Sequence, residues 1–155
     1  SLKYYTSAGR LVFGGGGIMP DFFVPADTLA FNNFYSEIIA KNLLYPFAFK
    51  FADQQRSTLN KMDEATQIES YLIEQKVFNQ FISHIRKAGI KYSAKEYDES
   101  SKLLEKQLYA LITRNIIGDK GYYPILFEID NTVLKAIQLL EKNWSYKEVA
   151  QINKK

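Results

Sequence analysis

From residue 29 onward the apolar positions recur at helical spacing. Phe31, Phe34, Ile38, Tyr45 and Phe49 share a face at about 3.6 residues per turn, which predicts one long helix over residues 29–55. Pro46 lies inside it. A proline removes a backbone donor and crowds the preceding turn, so a kink or break is expected near residues 44–45. A second helix is predicted over 74–88, with Val77, Phe78, Phe81, Ile82 and Ile85 inward and Gly89 as its stop. Ser93 followed by Glu96 reads as a capping box. It opens a third helix to residue 117 that buries Tyr97, Leu104, Leu108, Leu111 and Ile112 and ends at Gly118. Asp130 or Asn131 is expected to cap a fourth helix, with Val133, Ile137, Leu140 and Trp144 inward, and Ser145 to open a last short helix through Ile152. Residues 60–72 fit a loop or a helix equally well. Tyr122, Tyr123 and Pro124 read as aromatic core at the entry to a loop, ahead of an aromatic peptide-docking surface.

Residues 1–28 follow another pattern. Three short β-type runs, at 2–6, 11–13 and 22–24, are separated by Ser7-Ala8-Gly9 and by four glycines, and closed by Pro25-Ala26-Asp27-Thr28. Three such strands lack the area and partner face of an independent sheet. The expected division is therefore a β-type leader, 1–28, and a helical domain, 29–155. The fold class is mainly α, a helical bundle preceded by a short β remnant of something larger. A start without Met, directly inside a strand, fits a piece of a longer chain.

Composition narrows the function classes. The 155 residues, 46% hydrophobic and 15% aromatic, suffice for one cored domain with an appendage. Twenty basic against 17 acidic residues give a net charge of +3, scattered without blocks, which argues against nucleic acid as a partner. Cysteine is absent, so thiolate metal sites and thiol nucleophiles are excluded. No apolar run reaches the roughly 18 to 20 residues of a membrane span. A phosphate loop needs Lys and Ser/Thr after its last glycine, whereas Gly17 is followed by Ile18-Met19-Pro20-Asp21. The glycines read instead as a close backbone crossing that no side chain would fit. His84 is the sole histidine and cannot assemble a zinc site alone. Glu96, Asp98 and Glu99 suit a helix start, and Ser7 suits a turn. No catalytic, cofactor-binding or metal-ligating residue is predicted, and no cofactor.

The leader carries a resemblance. Lys3-Tyr4-Tyr5-Thr6, then Gly9-Arg10, then Gly14, Gly15, Gly16 and Gly17 with Ile18, then Pro20-Asp21 and Val24, resemble the segment that follows the catalytic lysine in carboxyl-terminal processing peptidases, the tail-specific proteases. These are exported serine peptidases with a Ser–Lys dyad, usually carrying a PDZ domain. Tyr45-Pro46-Phe47-Ala48-Phe49 and Gly121-Tyr122-Tyr123-Pro124-Ile125 look like the long helical tail of a subset of that family. Ser7 stands where many members have proline. The resemblance implies that the dyad, the oxyanion-hole segment and the PDZ domain lie upstream of Leu2, so no catalytic residue carries over and the isolated chain is silent. It implies as partners the rest of the parent chain and the parent's polypeptide substrates, and a location in the periplasm or cell envelope. The helical tail would then support the core, position substrate or self-associate into a homo-oligomer. The competing expectation is a stand-alone helical protein-interaction module.

Overall fold

A computed structural model describes residues 2–7, 9, 11–15 and 22–142, and its chain divides into two compact units, Ala26–Leu134 on one hand and Ser1–Pro25 with Lys135–Lys155 on the other. Helices dominate: eight occur among the described residues, beside a two-stranded sheet.

In the leader, β1 (Lys3–Tyr5) pairs antiparallel with β2 (Leu11–Phe13), Tyr4 opposite Val12. Gly9, at φ 76°, donates to the Thr6 carbonyl at 2.8 Å and turns the chain between them. Gly14 extends the ladder by donating to the Leu2 carbonyl at 2.9 Å, and a Cβ there would stand 2.7 Å from the Tyr4 ring. The third β-type run forms no strand. Phe23 in it is exposed, and Pro25 just beyond offers no donor for a ladder.

The larger unit begins with α1 (Asn33–Ala40) and α2 (Leu44–Gln54), so the expected long helix is two. The break falls earlier than Pro46 alone would place it. Asn42, at φ 48°, closes α1 in a left-handed cap: its amide donates to the Ile39 carbonyl at 2.9 Å and that of Leu43 to the Ile38 carbonyl at 3.1 Å. Pro46 then sits in the first turn of α2, where a missing donor costs little. The reversal also resets the helical face. Phe34 and Ile38 are buried as expected, but Phe31, Tyr45 and Phe49 are about half exposed, and α2 buries Leu44, Ala48, Phe51 and Ala52 instead.

A short α3 (Arg56–Leu59) and α4 (Ala65–Glu74) resolve the ambiguous stretch into a loop followed by a helix. Lys76, at φ 51°, separates α4 from α5 (Val77–Lys87), so the second predicted helix starts later than residue 74, with all five of its inward residues buried. The central α6 (Ala94–Ile117) packs against α1, α2, α4 and α7. Leu104, Leu108 and Ile112 are fully buried on it, while Tyr97 and Leu111 are half-buried.

The segment expected as a loop entry is a helix, α7 (Asp119–Phe127), with Pro124 inside it. It folds back on α6 because Gly121 permits close approach: a Cβ there would lie 2.4 Å from Thr113 Cγ2 and 2.6 Å from Ile117 Cγ1. Asp130 does cap the next helix, α8 (Asn131–Glu141), through Oδ1 accepting from the amides of Thr132 and Val133. Its inward set is not buried: Ile137 and Leu140 are exposed and Val133 half-buried, since apolar spacing marks a face without supplying a partner for it. Trp144 and the last predicted helix lie outside the described residues.

Candidate functional site

Among the described residues, those that carry the family resemblance do not gather into a chemical site. Tyr5 lies in β1, Thr6 and Gly9 in the turn, and Gly14 and Gly15 after β2, with Gly15 at φ 96°. Ser7 belongs to the same turn. Arg10, Gly16, Gly17, Ile18, Pro20 and Asp21 lie outside the described residues. His84 is exposed, its ring 5.4 Å from that of Phe47, and no group of three or more His, Cys, Asp or Glu that could hold a metal occurs among the described residues. No helix there is long and apolar enough to cross a membrane.

An open cleft of about 520 Å³ lies between the end of α5 and the start of α6. The sequence builds it in three steps. Helix α5 ends in a left-handed glycine cap, in which the Gly89 amide donates to the Arg86 carbonyl at 3.0 Å and that of Ile90 to the Ile85 carbonyl at 3.1 Å. Ile90 is buried and anchors the reversal. Ser93 then starts α6, its Oγ accepting from the Glu96 amide at 3.2 Å while Glu96 Oε2 accepts from the Ser93 amide at 2.9 Å. The Ser93 amide, and after it the Ser93 hydroxyl, which donates to Glu96 Oε2 at 2.8 Å, hold the Glu96 carboxyl below its usual range.

Two helical faces thereby meet. Asn79, Ser83 and Arg86 come from successive turns of α5, and Ala94, Tyr97 and Asp98 from the first turn of α6. Between them Tyr92 stacks on Tyr97, rings 5.7 Å apart at 23°, and both back onto Phe34, at 4.4 and 6.4 Å. Arg86 is held in place: its Nε donates to the Tyr92 hydroxyl at 2.7 Å, and its guanidinium carbon lies 5.4 Å from the centre of the Tyr92 ring. Among the described residues the Arg86 side chain donates a hydrogen bond through Nε alone. Among the described residues no carboxylate forms an ion pair with Arg86, although Asp98 lines the same cleft. Burial pushes the Tyr97 hydroxyl above its ordinary pKa; Tyr92 and Glu105 add to this and Arg86 opposes it.

The cleft rests on a rigid seat. Asn32 caps α1 by accepting from the Tyr35 amide at 3.2 Å, and its Nδ2 donates to the Glu96 carbonyl at 2.9 Å and to Glu99 Oε2 at 3.2 Å. Ser100, fully buried, donates to the Ala30 carbonyl at 2.8 Å. The first turns of α6 are thus fixed to the start of α1.

Two other features hold less chemistry. Lys106 Nζ bridges Glu69, at 2.6 Å, and Glu128, joining α4, α6 and the end of α7. Burial alone would favour loss of its proton, but the hydrogen bonds to Glu128 and Glu69 outweigh it and raise the pKa above the usual lysine value. Tyr109 donates to Glu105 at 3.0 Å, and burial with that carboxylate drives its hydroxyl far up. All of these groups are committed to each other, so the cluster is structural. A smaller apolar indentation of about 180 Å³, bordered by Ile39, Asn42, Tyr45 and Leu111, lacks charged groups to orient a ligand.

Asn79, Arg86 and Tyr92 were not singled out by the sequence pattern. Their signal was a polar i, i+4, i+7 row flanking the apolar stripe of α5, followed after a glycine stop by an aromatic pair; it points to a site only once the Gly89 reversal is known.

The fold is that of a small helical body with an appended hairpin. A family of unknown function (DUF8443) matches residues 34–118, more than half of the chain, and the chain belongs to that family. Its matched region runs from α1 to the end of α6 and so contains the whole cleft. No curated protein and no solved structure matches.

Proposed function

We propose that this chain is the carboxyl-terminal helical region of a tail-specific serine protease, without the catalytic dyad, and that its helical body serves the parent by supporting the protease core, positioning substrate or self-associating. The observation that carries this reading is the ordered series Tyr5-Thr6, Gly9-Arg10, Gly14 to Gly17 with Ile18, and Pro20-Asp21. Support comes from the hairpin, since two paired strands of three residues, β1 exposed throughout, are what a fragment of a larger sheet leaves behind. Further support comes from Gly14, whose closeness to Tyr4 gives part of the glycine run an architectural use. The serine and lysine belong to the preceding polypeptide, and the resemblance puts the parent in the periplasm or cell envelope. A chain extended upstream through the dyad should cleave unfolded, tail-tagged polypeptides and lose that activity when its serine becomes alanine. The 155-residue chain should not. Cleavage by the shorter chain that a substitution within it abolishes would overturn the reading.

A second reading, a stand-alone helical interaction module, is favoured by one observation: every apolar residue buried among those described lies between Ala30 and Ile125, so the body carries its own core.

A further inference from the structure

We propose that the cleft between α5 and α6 binds an extended peptide segment in which an acidic side chain lies beside an aromatic or large apolar one. The site goes beyond the protease reading and stands on the geometry of the helical body, whatever chain that body is joined to.

Charge and shape select this ligand. Arg86 is a planar cation already oriented by Tyr92, and its two terminal nitrogens can donate in parallel to one carboxylate. Because Tyr92 holds the guanidinium beforehand, little side-chain freedom is lost on binding. The stacked rings of Tyr92 and Tyr97, half-buried and backed by Phe34, line the cleft beside it with aromatic carbon. Such a lining suits an aromatic or large apolar side chain. On the remaining sides the Asn79 amide can donate and accept, while the Asp98 carboxylate and the Ser83 hydroxyl, whose hydrogen goes to the Asn79 carbonyl, can accept from peptide amides. The volume of about 520 Å³ falls within the range of small-ligand sites and accommodates a few residues of extended chain.

The same charges disfavour a phosphorylated ligand. Asp98 lines the cleft with Arg86, one carboxylate against one cation, so a dianion would meet more repulsion than a single carboxylate does for the same donor.

The test uses the full chain, isotope-labelled, titrated with a short peptide that is acetylated and amidated at its ends and carries glutamate between two phenylalanines. Saturable amide shifts are expected at Asn79, Ser83, Arg86, Tyr92 and Tyr97. The glutamine counterpart should bind roughly tenfold or more weakly, and Arg86→Ala should produce a loss of the same size for the glutamate peptide. Arg86 is exposed, so the variant should melt like the parent chain. Arg86→Glu should reverse the preference toward a peptide with lysine in place of glutamate. Ser83→Trp, which fills the cleft from the exposed side of α5, should abolish binding of both. Equal binding of the glutamate and glutamine peptides, shifts centred elsewhere on the chain, or no saturable shift would each overturn the proposal.

Discussion

Gly121 shows how much one missing methyl group can decide. In an exposed helix, glycine to alanine would gain about 1 kcal/mol of helix propensity. Here the new Cβ would stand 2.4 Å from Thr113 Cγ2 and 2.6 Å from Ile117 Cγ1. Ile117 is half-buried and can give way. Thr113 is fully buried and its Oγ1 donates to the Tyr109 carbonyl at 2.8 Å, so its methyl cannot rotate aside without breaking a buried bond. Overpacking of about 1–3 kcal/mol therefore outweighs the propensity gain, and Gly121→Ala should lower stability in urea denaturation. Lys106 makes a second prediction at this scale. Lys106→Met leaves the Glu69 carboxylate buried without its cation and should cost about 1–3 kcal/mol, while adding Glu69→Leu should recover most of it. The pKa of Lys106 is raised in the folded chain, so its contribution is complete below the unfolded value of 10.5 and fades as pH rises above it. Denaturation midpoints between about pH 9.5 and 11.5, on the order of one unit either side of that value, should fall more steeply in the parent chain than in Lys106→Met.

Among the elements, α6 depends most on its first turn. Ser93→Ala removes the side-chain acceptor for the Glu96 amide and should cost about 1 kcal/mol. The Glu96 carboxyl, held low by Ser93, stabilises the fold above its unfolded pKa of 4.5 and loses that contribution as pH falls below it. In Ser93→Ala an NMR titration should find the Glu96 carboxyl moved up toward 4.5. The junction before α5 gives the opposite sign of effect. Lys76 occupies the left-handed region at φ 51°, which costs a residue with a Cβ about 1–2 kcal/mol, so Lys76→Gly should stabilise, offset in part by glycine's greater freedom when unfolded. These same junctions mark what the sequence made legible. The stripe of α5, the Ser93–Glu96 box and the stops at Gly89 and Gly118 could be read because each has a local chemical cause. The Asn42 reversal could not, since Asn takes a left-handed cap only occasionally. Reading past it carried the α1 stripe onto Tyr45 and Phe49, which the reversal leaves half exposed. Likewise Pro124 made α7 look like a loop, because the packing of Gly121 on α6 that compensates for it depends on the reversal at Gly118. The cleft was hidden for the same reason: its two faces are each ordinary surface until the turn at Gly89 brings them together.

At the scale of the whole molecule, the core belongs to one unit. Every apolar residue buried among those described falls within Ala26–Leu134, and neither Tyr4 nor Tyr5 of the hairpin contributes to it. A chain lacking residues 1–25 should therefore keep its helical circular dichroism and melt cooperatively. A molten product would show that the core needs the leader. The buried core lies in the helical body, and our proposal assigns the leader motif to a larger sheet; their union is the central claim: a noncatalytic helical region following a protease core. Peptide mapping of the endogenous protein, captured with an antibody raised against the helical body, tests that claim most directly. The account predicts a polypeptide longer than these 155 residues, with a serine and a lysine upstream of Leu2 whose replacement abolishes its proteolysis. An endogenous protein whose peptides end at Ser1, or whose upstream segment holds no such pair, would contradict it.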